Sequence, residues 1–242
     1  MPNIIGIIPA RGGSKGLQRK NLQLIDGKPL IWFTLQMAKK STLLEKIVVS
    51  TDDLVIADYV KSQNVEVVSR PQHLATDDSP VSSSVIYTVD FLESHYGYKA
   101  DIIVVLSPAT PLRTFNSIDK AINLILNSEY DSIFSATISF ENQSRNYGKW
   151  EFNKDGKFEC VYDRYSRKRR QDFYNKFYIQ ENSSIYIIKQ DVLKKYQSLI
   201  GEAPGFTIMM TEESMIINTE DHLSRAEILY KRIFKPEFEG KT

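Results

Sequence analysis

Residues 3–21 read Asn-Ile-Ile-Gly-Ile-Ile-Pro-Ala-Arg-Gly-Gly-Ser-Lys-Gly-Leu-Gln-Arg-Lys-Asn, and this stretch decides the fold. Its first half is an apolar run with four isoleucines, which is typical of a strand buried on both faces of a sheet. The run ends at Pro9, and glycines then alternate with cations. We expect Gly12, Gly13 and Gly16 to bend the backbone with positive φ and to bring its N–H groups close to a ligand.

The same loop carries positive charge at four positions, which are Arg11, Lys15, Arg19 and Lys20. Cations beside exposed backbone N–H groups favour an anion, and the ligand we expect is a polyphosphate. A Walker A loop is excluded because Leu17, rather than Lys, follows Gly16. A dinucleotide fingerprint is excluded because the loop does not open a helix directly. A solvated basic turn after an edge strand is the alternative explanation.

The overall composition is that of an ordinary soluble globular protein, with 242 residues, 42% hydrophobic and 25% charged. The 31 Lys and Arg against 30 Asp and Glu leave a net charge of +1, so no global field favours nucleic acid or a membrane. The single cysteine, Cys160, excludes an internal disulfide and suits a reducing compartment. No apolar run approaches the roughly 20 residues that span a bilayer, and no basic signal-peptide segment opens the chain. We expect a cytoplasmic protein.

Strand and helix patterns alternate along the chain, which predicts an α/β fold with a mostly parallel, doubly wound, Rossmann-like sheet. We predict strands at 46–50, 65–68, 101–106, 131–138, 206–210 and 215–218, and helices at 29–38, 54–62, 117–126 and 191–196. Helix caps are expected at residues 51–53, at Asp78 or Ser79 with Pro80 in the first turn, and at Thr219. Ligands of such sheets bind at the carboxyl ends of the strands, where Arg11 and Asp52 are expected.

The loop resembles the signature Ile-Pro-Ala-Arg-Gly-Gly-Ser-Lys-Gly-x-x-Arg-Lys-Asn of the acylneuraminate (CMP-sialic acid synthetase) cytidylyltransferases, with Gln18 where Pro is common. The resemblance extends from Ile4 to about Ala226. It implies a nucleotidyltransferase that uses CTP and an acidic sugar. It also implies a single domain over residues 1–242, with an inserted arm at about 140–176 that makes a homodimer.

The resemblance assigns roles to individual residues. Arg11, Lys15 and Lys20 would be catalytic, stabilising charge on the α-phosphate and on the departing pyrophosphate. The implied nucleotide site consists of Ala10, Arg11, Gly12, Gly13, Ser14, Asn21, Arg70, Ser79 and Ser82. The implied sugar site consists of Ser107, Arg113, Arg170, Gln171, Asn182 and Tyr186. The family has Gln at the position of Ser107 and Gly-Ala at Ser183-Ser184, so we expect a different pocket edge.

In the family that the chain resembles, a segment that reads Asp-Ile-Asp-Thr supplies two carboxylates to the divalent ion. This chain departs from that pattern, because it reads Ile216-Ile217-Asn218-Thr219. Magnesium prefers anionic oxygen, whereas Ile offers no ligand and Asn218 only a neutral carbonyl. Three outcomes stay open: Mg²⁺ arrives bound to CTP, another acid substitutes, or turnover is lost. We expect the first, since nucleotide magnesium sites commonly use few protein ligands.

The sequence thus predicts an enzyme that joins CTP to a nonulosonic (sialic-type) or related acidic sugar and releases pyrophosphate. One alternative is a nucleotidyltransferase for a different base or sugar. Another is a nucleotide-binding homologue that has lost catalysis. A nucleic-acid binder working through the basic run 164–170 is a third, weaker alternative.

Overall fold

The computed structural model of the chain describes residues 2–14, 16–140, 150–152, 155, 158–160 and 177–240. The chain forms two compact units, one of Met1–Ala136 with Asn182–Thr242 and the other of Thr137–Glu181. The strands are β1 (Ile4–Pro9), β2 (Leu24–Ile25), β3 (Lys28–Pro29), β4 (Lys46–Thr51), β5 (Glu66–Ser69), β6 (Ile102–Leu106), β7 (Ser132–Phe140), β8 (Trp150–Phe152), β9 (Phe158–Cys160), β10 (Phe177–Lys189) and β11 (Pro204–Ile208). Within the described residues, the α-helices are α1 (Leu30–Lys40), α2 (Leu54–Ser62), α3 (Val81–Tyr96), α4 (Phe115–Leu126), α5 (Gln190–Tyr196), α6 (Glu220–Leu229) and α7 (Lys235–Glu239).

A seven-stranded sheet with the order β11-β7-β10-β6-β1-β4-β5 organises the first unit. Strand β1 lies between β4 and β6 and pairs with both in parallel, and β4 pairs with β5 in parallel. Strand β10 is antiparallel to β6. The predicted α/β fold with a mostly parallel sheet is therefore confirmed.

The isoleucines of β1 explain why this strand lies in the middle of the sheet. Ile4 and Ile8 pack into one core cluster with α1 and α4, whereas Ile5 and Ile7 pack into a second cluster with α3 and α5. Successive side chains of a strand point to opposite faces, so a continuous apolar run suits a strand that is covered on both sides. Each such side chain contributes roughly 1.5–3 kcal/mol when it is fully buried.

Two of the predicted helix caps are confirmed. The Asp53 carboxylate accepts the backbone N–H groups of Val55 and Ile56 at the start of α2. The Thr219 hydroxyl accepts the backbone N–H of His222 at the start of α6. The predicted cap of α3 is wrong, because Pro80 is the capping residue and no side chain caps that helix.

The strand predicted at residues 215–218 is also wrong, because these residues form a loop. Ile217 explains the apolar signal: its side chain is fully buried and its backbone N–H donates to Ala109 O at 2.7 Å. The buried side chain of Ile217 and its backbone hydrogen bond help to hold the loop without strand pairing.

The predicted arm at about 140–176 falls within the second unit, and most of it lies outside the described residues. There, the structure describes the antiparallel pair of β8 and β9. In the described part of the chain, no helix combines the length and the apolar character that crossing a membrane requires.

Candidate active site

The predicted functional residues collect at the carboxyl edge of the parallel strands. Arg11 follows β1, Asp52 follows β4, Arg70 follows β5 and Ser107 follows β6. Because these four strands run in the same direction, their carboxyl ends meet at one edge, which is where ligands of open α/β sheets bind. The fold thus brings together segments that are up to about a hundred residues apart along the chain.

The anion loop is shaped by close backbone approach. A Cβ at Gly12 would lie 2.6 Å from Asp53 Oδ2, and one at Gly16 would lie 2.7 Å from Asn218 O. The expected positive φ is not found at Gly12 or Gly13. Gly12 is therefore required for space, and its backbone N–H donates to Asp52 Oδ1 at 3.1 Å.

Two further contacts hold the loop in place. Asn21 is buried and its side-chain amide donates to Arg11 O at 2.9 Å. The fully buried Ala10 donates its backbone N–H to Ser50 O at 2.9 Å. Gly13 is exposed and Ser14 is partly exposed, so both face the open side of the loop. These contacts fix the backbone on both sides of Arg11.

Three cations interact electrostatically at this edge. Burial, followed by the nearby charge of Arg11, lowers the pKa of Lys20. Burial also lowers the pKa of Arg70; the Asp52 carboxylate opposes this effect and Arg11 adds to it. Mutual repulsion among cations is relieved when an anion binds between them. Lys15, the other predicted catalytic cation, lies outside the described residues.

Arg11 and Lys20 each have a hydrogen-bond partner within the protein. The Arg11 guanidinium donates through Nη1 to Thr76 O at 2.8 Å and through Nη2 to Asp77 Oδ1 at 2.6 Å. Lys20 Nζ donates to Asn218 Oδ1 at 3.2 Å. Sequence reasoning missed Asp77, although an acidic pair seven residues after Arg70 is a visible signal.

Arg70 combines burial with unused hydrogen-bonding capacity. Its Nη2 lies 3.8 Å from Asp52 Oδ1, and both side chains are almost fully buried. Its Nε is buried and has no hydrogen-bond partner in the described structure. Leaving a buried donor unpaired costs about 1–3 kcal/mol, and a ligand acceptor would remove that cost.

The two serines predicted to face the nucleoside lie at the start of α3. Ser79 donates its hydroxyl to His73 O at 2.7 Å and pairs with Thr76 Oγ1 at 2.6 Å. Ser82 is buried in the first turn of α3. The hydroxyl of Ser79 therefore stabilises the turn before the helix.

Arg113, predicted to face the sugar, lies beneath the loop that follows β6. Its side chain is 1% exposed, and burial lowers its pKa. Its terminal nitrogens donate to Thr34 Oγ1, Ser107 O, Thr110 Oγ1 and both oxygens of Ser184, at 2.6–3.1 Å. This arrangement ties α1, the 107–113 loop and β10 together.

Asn182 and Tyr186 lie on β10, next to the carboxyl end of β6. Asn182 is 4% exposed; its Oδ1 accepts from Ser135 Oγ at 2.5 Å, and its Nδ2 donates to Ser214 Oγ at 2.7 Å. Tyr186 is partly exposed and its hydroxyl donates to Ser183 Oγ at 3.3 Å. The other predicted sugar residues, Arg170 and Gln171, lie outside the described residues.

The described residues near Asn218 offer little that could hold a metal ion. The amide oxygen of Asn218 is occupied by the Lys20 ammonium, a cation that repels a metal ion. Ile216 is 36% exposed and supplies no ligand atom. Among the described residues, no group of three or more His, Cys, Asp or Glu side chains is placed to hold a metal ion.

Comparison with known proteins now gives the family. The family of cytidylyltransferases matches residues 5–232, nearly the whole chain. The chain belongs to the cytidylyltransferase family. This cytidylyltransferase is 30% identical over 240 residues to the post-translational flagellin modification protein B of Campylobacter coli, covering 96% of both chains.

Two further relatives match parts of their length. An N-acylneuraminate cytidylyltransferase of Escherichia coli O18:K1:H7 is 28% identical over 89% of this cytidylyltransferase and 49% of its own length. A CMP-N,N'-diacetyllegionaminic acid synthase of Legionella pneumophila is 39% identical over 50% of this chain and 52% of its own. The chain thus spans about half the length of the N-acylneuraminate relative, and nearly all of the flagellin modification protein.

A solved structure shares the fold. A CMP:2-keto-3-deoxy-manno-octonic acid synthetase complexed with CTP superposes with a TM-score of 0.70 at 16% identity, covering 95% of this chain and 98% of the other. At this identity the likeness concerns the fold alone.

Proposed function

We propose that this cytidylyltransferase joins CTP to the anomeric hydroxyl of a nonulosonic (sialic-type) or related acidic sugar. The sugar oxygen forms a bond to the α-phosphorus, pyrophosphate leaves with the electron pair of the broken bond, and the hydroxyl proton passes to solvent. One observation carries the proposal: Arg11 lies near both Lys20 and Arg70 at the carboxyl edge of the sheet, beside a loop held in close backbone contact.

The phosphate-binding part of the proposal rests on charge. Phosphoryl-type transfer asks the protein mainly for positioning and for neutralisation of charge, so no nucleophilic side chain is needed. Arg11, Lys15 and Lys20 are proposed to stabilise charge on the α-phosphate and on the departing pyrophosphate. Partial burial of Lys20 strengthens its interaction with a phosphate, because the interaction is less screened by water.

The nucleoside is proposed to bind between the anion loop and the segment after β5. The buried Nε of Arg70 supports this position, because it has no hydrogen-bond partner among the described residues and needs an acceptor. Asn21 would contribute by holding the loop backbone, and Ser79 by holding the turn before α3. Ser82 and the backbone of residues 10–14 complete the proposed site.

The acidic sugar is proposed to bind near Ser107 and Tyr186, with Arg170 and Gln171 supplying contacts to its carboxylate. A planar guanidinium suits a carboxylate because it can donate to both oxygens. For Arg113 and Asn182 we propose a supporting role, since the terminal nitrogens of Arg113 and the side-chain amide of Asn182 are buried and hydrogen-bonded within the protein. Ser183 lies beside Tyr186 and would shape the same edge of the pocket.

Magnesium is proposed to travel with CTP and to be held by phosphates and water. The residues at 216–218 do not fit a protein-built metal site, so no step of the reaction is assigned to a protein-bound ion. Asn218→Asp should place a carboxylate there and increase the dependence of CTP binding on Mg²⁺. Calorimetric titration with CTP in Mg²⁺ and in EDTA measures this dependence. If the ratio of the two affinities were the same in the variant and the wild type, residue 218 would not contact the metal ion.

We also propose that the chain forms a homodimer through the arm at about 140–176 and works in the cytoplasm. Light scattering of the purified protein measures the first, and a monomer at micromolar concentration would contradict it. Cell fractionation measures the second.

The competing function is a nucleotide-binding protein without turnover, and it is favoured by Ile216 and Asn218. Pyrophosphate release, measured with CTP, Mg²⁺ and a panel of nonulosonic and other sugar acids, separates the two. We expect release with at least one acceptor, and little with UTP, ATP or GTP in place of CTP. If CTP bound but no acceptor gave pyrophosphate release, the enzyme proposal would be overturned. Release with a different nucleoside triphosphate would mean that CTP is not the nucleotide donor.

A further inference from the structure

The Asp77 carboxylate forms an ion pair with Arg11, the proposed phosphate-binding arginine. Arg11 Nη2 donates to Asp77 Oδ1 at 2.6 Å, and each of the two side chains is 33% exposed. Nη1 of the same guanidinium donates to Thr76 O at 2.8 Å. Both terminal nitrogens of Arg11 therefore point toward the segment before α3.

A carboxylate and a phosphate use the same donors of a guanidinium. The fork of N–H groups bonds two anionic oxygens side by side, whether they belong to carbon or to phosphorus. A nucleotide phosphate that binds Arg11 through Nη2 must therefore displace Asp77 or share the donor with a like charge. Either event costs free energy that the nucleotide has to supply.

The segment that carries Asp77 is a small hydrogen-bonded turn. The hydroxyls of Thr76 and Ser79 lie 2.6 Å apart, and Ser79 also donates to His73 O. This turn leads directly into α3, whose first turn carries the buried Ser82. The turn that Arg11 contacts through Thr76 and Asp77 therefore borders the proposed nucleoside site.

We propose that Asp77 is a positioning residue that holds Arg11 in the nucleotide-free protein and competes with the incoming phosphate, so that it sets the affinity for CTP and pyrophosphate. The inference rests on the proposed function, since it takes Arg11 as a phosphate ligand. The competition serves turnover, because a site that binds pyrophosphate less tightly releases that product sooner.

The test uses the full chain and three variants. Asp77→Asn keeps the shape and an acceptor oxygen but removes the charge. Asp77→Glu keeps the charge, and Asp78→Asn removes the same charge from the exposed neighbouring residue. Calorimetric titration with CTP and, separately, with pyrophosphate gives the affinities, and initial rates give kcat and KM.

We expect Asp77→Asn to bind both ligands about two- to fivefold more tightly, the range set by partly exposed ion pairs. Its KM for CTP should fall while kcat does not rise, and Asp77→Glu should bind as the wild type does. Weaker binding by Asp77→Asn would overturn the inference, as would equal tightening in Asp78→Asn. If the wild-type protein bound neither ligand, the proposed function would fail instead, and the inference with it.

Discussion

Replacement of Gly16 by Ala tests whether the anion loop and the 215–218 loop are held against each other. The new Cβ would lie 2.7 Å from Asn218 O, a backbone atom. Non-bonded atoms settle near about 3.5 Å, so one loop must retreat by about 0.8 Å. Neither loop retreats easily, because the adjacent Leu17 and Ile217 are buried in the core. The steric cost of such overpacking is typically about 1–3 kcal/mol.

Gly13→Ala is the matched control. It adds the same methyl group to the same loop, but no atom of the described residues outside its chain neighbours lies within 4 Å of its Cβ. We expect its free energy of unfolding to stay within about 0.5 kcal/mol of the wild type. Denaturant unfolding without ligand measures both variants, and thermal unfolding should show Gly16→Ala melting about 2–4 °C lower for each kcal/mol lost.

The comparison of the two alanine variants tests the close approach of the anion loop to the 215–218 loop. Equal stabilities for Gly16→Ala and Gly13→Ala would refute the close approach of the two loops. A crystal structure of Gly16→Ala should show the distance between residues 16 and 218 increased and the bond from Lys20 to Asn218 broken.

Three further substitutions test other parts of the structure. Asp53→Ala removes the cap of α2 and should cost about 1 kcal/mol in urea unfolding; no loss would mean that the cap is not formed in solution. Ser184→Ala removes one acceptor of the buried Arg113 and should cost about 1–2 kcal/mol, whereas a gain in stability would contradict the hydrogen-bonded arrangement. Asp131→Asn tests pH dependence. Burial alone would raise the pKa of the Asp131 carboxyl, but hydrogen bonds from its neighbours, including the backbone N–H groups of residues 202 and 203, hold this pKa below its ordinary value of 3.8. The stabilisation that ionised Asp131 gives is therefore present above pH 3.8 and is lost as the pH falls through the lower pKa of the folded state. The variant should accordingly lose less stability in acid than the wild type does. Parallel plots of unfolding free energy against pH for the two proteins would argue against this.

Local patterns predicted the elements whose signals are contained in a few consecutive residues. The apolar run of β1 indicated a strand covered on both faces, and the Asp53 cap followed from residue type and position. The apolar signal at 215–218 was misleading because burial of one residue, Ile217, does not require strand pairing. Periodicity reports which side chains are buried, but it does not report whether the backbone finds a neighbouring strand.

The sequence by itself determined the parallel α/β architecture, the position of the anion loop after the first strand and the resemblance to the cytidylyltransferases. Only the tertiary structure decided that Arg11 bonds Asp77, that Lys20 faces Asn218 and that Arg113 lies in the interior. The physical reason is that a charged side chain can find a partner on any segment that reaches the same edge of the sheet. Distances of 66 and 198 residues along the chain separate the first two pairs, and no local pattern records which segments meet.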